Sequence, residues 1–245
     1  MATVSEQQDS KTKQVLKRIW KWSKRIFIWI FIFQLFYIVL LKWVNPPITM
    51  TQLASWVSGH GFKRDYVNRK NISPHAKLAV IAAEDQLFPD HRGFDWKSIK
   101  KATAYNKRKP GRIRGGSTIS QQVAKNVFLW QGRSWIRKGL EVYFTFMIEL
   151  IWGKKRILEM YMNQAEMGEG VFGIEMAGKK YFNKSAKNLT KQEAALIAAC
   201  LPNPKRFNAG SASGYVSRRA AMIMQQMNNL LTDPDIRKVI GMAPP

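Results

Sequence analysis

The longest apolar stretch, IFIWIFIFQLFYIVLL, opens a run over residues 26–44 whose only charge is Lys42. As a helix rising about 1.5 Å per residue, the run covers roughly 28 Å, close to the hydrocarbon thickness of a bilayer. It predicts a single transmembrane helix over 26–44, with Lys42 able to snorkel and Trp20, Trp22, Trp29 and Trp43 forming an interfacial belt. The rival, a cleaved signal peptide, fits less well: the run is long and ends in LKWVNPP without small-residue cleavage chemistry. Residues 1–25 become basic towards the run. The positive-inside tendency makes them a cytoplasmic tail and sends the remainder to the other side, since long domains cross whatever their charge.

Beyond a linker and membrane-proximal segment over 45–71, where no element is assigned, the apolar period is helical. Ser73 and Pro74 read as N-cap and first residue of a helix that buries Leu78, Ala79, Ile81 and Ala82, then turns at Pro89 and Gly93. Asp95 caps a helix through Ile99 and Ala102. The cationic stretch NKRKPGRIRGG over 106–116 is a surface loop, read either as a solubility feature or as a gate over an anionic site. Thr118 and Gln121 form a capping-box spacing ahead of Ile119, Val123 and Val127. Ser134 opens the greasy helix WIRKGLEVYFTFMIELIW, ended by Gly153. Each Glu in it costs about 2.5–3.5 kcal/mol at a bilayer centre, which rejects a second span. The helix either leans on the membrane surface or is buried in the core. Helical segments follow over 154–163, 173–182, 190–201 and 215–231, with a loop at Gly168 to Gly173 and a C-terminal tail over 233–245. No strand alternation is evident, so the fold class is mainly α.

At 245 residues the chain suits one domain plus an extra segment. Its formal net charge of +24 points to an anionic partner: nucleic acid, phospholipid headgroups or a phosphorylated substrate. Cys200 stands alone in an apolar helix, which excludes an internal disulfide, and three scattered histidines lack the spacing of a zinc site.

The candidate chemistry begins at Glu84 and Asp85, adjacent carboxylates at the end of an apolar helix. A carboxylate there is either a charge on a solvated face or a general base with raised proton affinity. GGST, with Ser117, Thr118, Gln121, Gln122 and Lys125 close by, is either a plain helix cap or an anion cradle. Arg137 and Lys138 meet Glu141 on one helix face at i,i+4 and i,i+3.

Five segments in order resemble the motifs of the peptidoglycan glycosyltransferases: Glu84-Asp85-x-x-Phe88-x-x-His91-x-Gly93; Gly116-Ser117-Thr118-Ile119-Ser120-Gln121-Gln122 with Lys125-Asn126; Arg137-Lys138-x-x-Glu141; Lys154-x-x-Ile157-x-Glu159-x-Tyr161-x-Asn163; and Arg218-Arg219. Ser120 stands where the family usually has Thr, and Ile223 and Met224 depart from the usual aliphatic pair. The resemblance implies a lysozyme-like glycosyltransferase domain over 72–232. No Lys-Thr-Gly or Lys-Ser-Gly motif follows, and Ser98 to Lys101 matches Ser-x-x-Lys by chance. The resemblance is therefore to the monofunctional, membrane-anchored members and not to those carrying a transpeptidase.

What the resemblance implies is polymerisation of lipid II, a disaccharide-pentapeptide on a polyprenyl diphosphate, into β-1,4 strands with inversion. Glu84 would be the base. Lys125 and Arg133 correspond to charge-stabilising positions, joined by Arg137 and Lys138. Glu141, the second carboxylate, orients these cations, helps place a divalent metal or assists Glu84. Asp85 is either a ligand to such a metal, Mg or Mn, or a capping charge. Ser117, Thr118, Gln121 and Gln122 position substrate, and Glu159, Tyr161 and Asn163 are architectural. The implied partners are lipid II, the growing strand, membrane lipids and cell-wall synthesis or division proteins, at a bacterial inner membrane with the domain periplasmic. Two other readings are kept: a lysozyme-like hydrolase or lytic transglycosylase, and a tethered basic binding protein. Nucleic acid is not expected, because aromatic binding stripes and known motifs are lacking.

Overall fold

The computed structural model describes residues 2–109, 111, 115–132 and 134–243, with side chains from Lys13 onward. The chain divides into two compact units at Val44 and Asn45. The first is essentially one helix, α1 (Ala2–Leu40), whose 28-residue part Lys13–Leu40 is long and apolar enough to cross a membrane. Ile26, Phe27, Trp29, Ile30 and Phe33 are exposed on it, as suits a helix whose solvent is hydrocarbon. The helix stops at Leu40, and Leu41 to Trp43 form a turn, so it ends short of the expected residue 44.

The second unit contains α2 (Met50–Val57), β1 (Lys63–Arg64), α3 (Pro74–Glu84), α4 (Trp96–Arg108), α5 (Ile119–Phe128), α6 (Trp135–Ile151) and α7 (Lys154–Gln164). It continues with β2 (Glu166–Gly168), β3 (Val171–Phe172), α8 (Ile174–Phe182), α9 (Lys191–Cys200), α10 (Gly214–Leu230) and α11 (Pro234–Ile240). The expected caps form: Ser73 accepts from the His75 amide, and Thr118 and Thr190 make reciprocal capping boxes with Gln121 and Glu193.

Helix α3 is central and packs against α9, α10 and α11. Ala79 and Ala82 on α3, with Ala194, Ala195, Ala198 and Ala199 on α9, are buried, and side chains this small let two backbones approach closely. Helix α5 packs against α6 and α7, carrying Ile119 and Val123 into a core with Ile148, Ile157 and Leu158. Burial of each such side chain stabilises the fold by about 1.5–3 kcal/mol.

Three features depart from the sequence reading. Thr49 and Gln52 form a capping box that starts α2 in the segment left unassigned, and α2 packs on α5. The glycine loop and residues 63–64 form a small sheet of order β1-β3-β2. Lys63 pairs with Val171 in parallel, and Glu166 with Phe172 antiparallel. Strands of two or three residues are too short to show alternation. The expected C-terminal tail holds α11, capped by Asp233, with Ile236, Val239 and Ile240 buried against α3 and α7.

Segment 45–71 is tied down by the fourth motif. The Asn163 side chain accepts from the Val67 amide at 2.9 Å and donates to the Val67 carbonyl at 3.0 Å, while Glu159 accepts from the Arg69 amide at 2.9 Å.

Candidate active site

Glu84 is the last residue of α3 and Asp85 its C-cap, with φ −161° and ψ 77°. That break in the helix sends neighbouring carboxylates in different directions. Asp85 turns inward: its Oδ1 accepts from His91 Nε2 at 2.9 Å and its Oδ2 from the Ile119 amide at 2.9 Å. His91 Nδ1 accepts from the Gly93 amide at 3.1 Å, which fixes the proton of the neutral ring on Nε2, facing Asp85. Asp85 thus clasps the end of α3 to the start of α5, where a carboxylate also suits the helix dipole. Gly93 is left-handed (φ +90°), and a Cβ there would meet Thr145 Cγ2 at 2.7 Å.

Glu84 is half-buried and opens on a cavity of 440 Å³ bordered by Gln86, Asp95, Ser98, Gly116 and Ser117. Its Oε2 accepts from Gln122 Nε2 at 2.8 Å, and Gln122 Oε1 accepts from the Tyr161 hydroxyl at 3.4 Å. Tyr161 is buried, which pushes its pKa well up and keeps it a neutral donor. The chain Tyr161–Gln122–Glu84 therefore sets both the amide's orientation and the carboxylate's. Desolvation raises the Glu84 pKa above the ordinary carboxylate range, and the Asp85 charge adds to this. The Gln122 hydrogen bond and the charges of Arg219 and Lys125 oppose it.

Lys125 stands one turn beyond Gln121 on α5 and feels both Glu84 and Glu141. Burial lowers its pKa; Glu141 and Glu84 hold it up, while Arg137 and Lys138 push it down. Glu141, 3% exposed, accepts from Arg137 Nη1 at 2.9 Å and Lys138 Nζ at 2.5 Å. Glu141 thereby ties down the Arg137 and Lys138 side chains by charge-assisted hydrogen bonds, and its charge acts on Lys125.

The other site residues from the sequence fall into two groups. Ser117 and Gln122 face the cleft or its base. Thr118 and Gln121 are 2% and 3% exposed and are consumed in the capping box, with Thr118 Oγ1 also donating to the Gly93 carbonyl at 2.7 Å. They shape the helix start, and Thr118 also borders the cavity. Arg133 lies outside the described residues, as does part of the cationic loop. Asp85 also borders the cavity, with His91 and the Ile119 amide each bonded to one of its oxygens. No group of three or more His, Cys, Asp and Glu side chains gathers as a ligand set among the described residues.

Arg219 on α10, part of the fifth motif segment, is a residue to which the sequence reading gave no site role. Its charge acts on Glu84, and its Nε is buried without a hydrogen-bond partner among the described residues, as is that of Arg137. Position gave a signal: Arg219 lies beside the inward Val216 and Ala220, on the helix that packs against α3.

A raised-pKa carboxylate next to a bank of cations suits transfer of a sugar from an anionic leaving group, and the sequence comparisons agree. The sequence profile of the transglycosylase family matches residues 50–228, and the chain belongs to that family, whose domain is mainly α and lysozyme-like. Among its relatives is the biosynthetic peptidoglycan transglycosylase of Shigella boydii serotype 4 (strain Sb227), 57% identical over 187 residues, 75% of this chain and 77% of the relative. The protein of the same description from Yersinia pseudotuberculosis serotype O:3 (strain YPIII) is 50% identical over 222 residues, 88% of this chain and 92% of the relative. That of Escherichia coli (strain K12 / DH10B) is 57% identical over 187 residues, 75% and 77% of the two chains.

Proposed function

We propose that this protein is a peptidoglycan glycosyltransferase that polymerises lipid II into β-1,4-linked strands with release of a polyprenyl diphosphate. The observation that carries the reading is one desolvated glutamate, Glu84, acted on by the charges of Arg219 and Lys125, with Arg137 and Lys138 acting in turn on Lys125. Glu84 takes the proton of the acceptor sugar's 4-hydroxyl as its oxygen bonds to the donor's anomeric carbon. The bond from that carbon to the diphosphate breaks, and the departing negative charge is steadied by the cations. A single displacement inverts the anomeric centre. A hydrolase expelling a neutral sugar needs a protonated acid at the leaving oxygen instead, and the cation bank supports transfer over that alternative. Glu141 serves as the holder of the cations. The helix α1 supports anchoring in the bacterial inner membrane, with the tail cytoplasmic and the domain periplasmic.

The test is Glu84→Gln, which retains an acceptor for Gln122. Polymerisation of lipid II is expected to fall by about 10²–10⁴-fold, the usual contribution of a general base. A raised carboxylate pKa gives stability below the ordinary pKa that is lost as pH rises through the raised value. The neutral amide removes that cost, so Tm at neutral pH should equal or exceed that of the wild type. Full polymerisation by Glu84→Gln removes Glu84 from the role of base.

A further inference from the structure

Two turns back along α3 from Glu84, the same helix carries a second cation-lined feature that the transfer reaction does not use. Lys77 is 5% exposed, and its ammonium donates to the Ile240 carbonyl at 3.1 Å. That is one of its three donors. The side chain lies at the floor of a cavity of 310 Å³ between α3, α7 and α11, walled by Ile72 and Ile240, with Arg69, Lys70 and Lys155 around it. Among the described residues no carboxylate lines this cavity. The acidic group that acts on Lys77, Glu159, already accepts from the Arg69 amide and from Arg156 Nη1 at 3.1 Å. Helix α7, which brings Lys155, starts without a side-chain cap.

A buried ammonium beside further cations is costly unless a negative charge joins it. Burial and the Arg69 charge both depress the Lys77 pKa, and the charge of an anion in the cavity would oppose both. Solvated surface lysines do not show this, because water screens them. We propose that the cavity is a binding site for a diphosphate or phosphodiester group, separate from the catalytic cleft. Arg69 supplies forked donors, Lys70 and Lys155 close the mouth, and Lys77 supplies the buried charge. A ligand there would also bridge α3, α7 and α11. Either a lipid headgroup or a free phosphate compound carries this chemistry.

The experiment is equilibrium dialysis of labelled pyrophosphate against the full chain in phosphatidylcholine nanodiscs at fixed ionic strength. Pyrophosphate will also enter the catalytic cleft, so variants separate the two sites. Lys70→Glu with Lys155→Glu, both at exposed positions, should weaken one class of binding site by about tenfold or more. Lys77→Met should do the same. Lys205→Glu with Arg206→Glu, an equal charge change at exposed positions in the loop after α9, should leave that class intact. Isotherms of the rim variant that superimpose on the wild type, or an equal loss in the control pair, overturn the proposal in favour of cleft binding or diffuse surface charge. The rim variant keeps the test valid if Lys77→Met does not fold. Repeating the dialysis in phosphatidylglycerol nanodiscs distinguishes the sources: headgroups that occupy the site displace pyrophosphate, whereas a site for a soluble phosphate compound stays open. Lipid II polymerisation does not enter this measurement, so failure of the transfer reading leaves it interpretable.

Discussion

Replacing Glu141 by Gln separates the holder role from the base role, because the two make different demands on stability and on pH. The Arg137–Glu141 pair is buried, with side chains 12% and 4% exposed, and breaking such a pair by removing one partner costs about 3–5 kcal/mol. Glutamine keeps an oxygen that can still accept from Arg137, which recovers roughly half of that. Lys138 is 43% exposed, so its bond to Glu141 contributes at most about 1 kcal/mol after solvent screening. The net loss is about 2–3 kcal/mol, and at about 2–4 °C per kcal/mol Tm should fall by roughly 4–12 °C. The pH profile adds a second readout. Glu141 helps hold the Lys125 pKa up against burial, and Lys125 must stay protonated to steady the leaving diphosphate. Without the carboxylate the Lys125 pKa drops further, and the alkaline limb of kcat/KM moves to lower pH. Lipid II polymerisation followed across pH, alongside thermal melts, makes the measurement. An unchanged Tm with an unmoved alkaline limb would refute the holder role, and loss of the acid limb alone would make Glu141 the base.

Arg219→Gln removes a charge that lowers the Glu84 pKa, so the acid limb of the pH–rate profile should shift to higher pH while the melt changes little. Tyr161→Phe takes away the hydroxyl that orients Gln122; kcat should drop about three- to tenfold with KM nearly constant, and an unaltered kcat would sever the Tyr161–Gln122–Glu84 chain from catalysis. Ile236→Ala in α11 should destabilise the domain by about 2–5 kcal/mol in denaturant unfolding, whereas a dispensable tail would show no change.

Residues that announce local structure were readable in advance. Ser73-Pro74, Thr118-x-x-Gln121 and Thr190-x-x-Glu193 each combine a cap with an apolar period, and α3, α5 and α9 start where those signals stand. Thr49-x-x-Gln52 and Asp233-Pro234 carry the same chemistry ahead of α2 and α11, but the helices behind them are eight and seven residues long, too short for periodicity to stand out. Helix α4 was legible from Asp95, whose side chain accepts from the Ser98 amide.

The candidate site was less legible. Spacing along α6 placed Arg137, Lys138 and Glu141 together because they share one helix. It could not place Arg219, which reaches Glu84 only through the packing of α10 on α3. Nor could it tell an exposed hydroxyl from one closing a helix end: Thr118 and Ser117 are neighbours in sequence and both border the cleft, yet one is buried in a capping box and the other is exposed.

The break in the backbone between Glu84 and Asp85 has a consequence for how such chains are compared. Exchanging the order of the two acids would leave charge, mass and amino-acid tally identical. It would also set the shorter side chain at the cleft and the longer one against His91, so neither job would be done at the right reach. A pair that looks interchangeable as letters is, in three dimensions, as directional as a lock and its bolt.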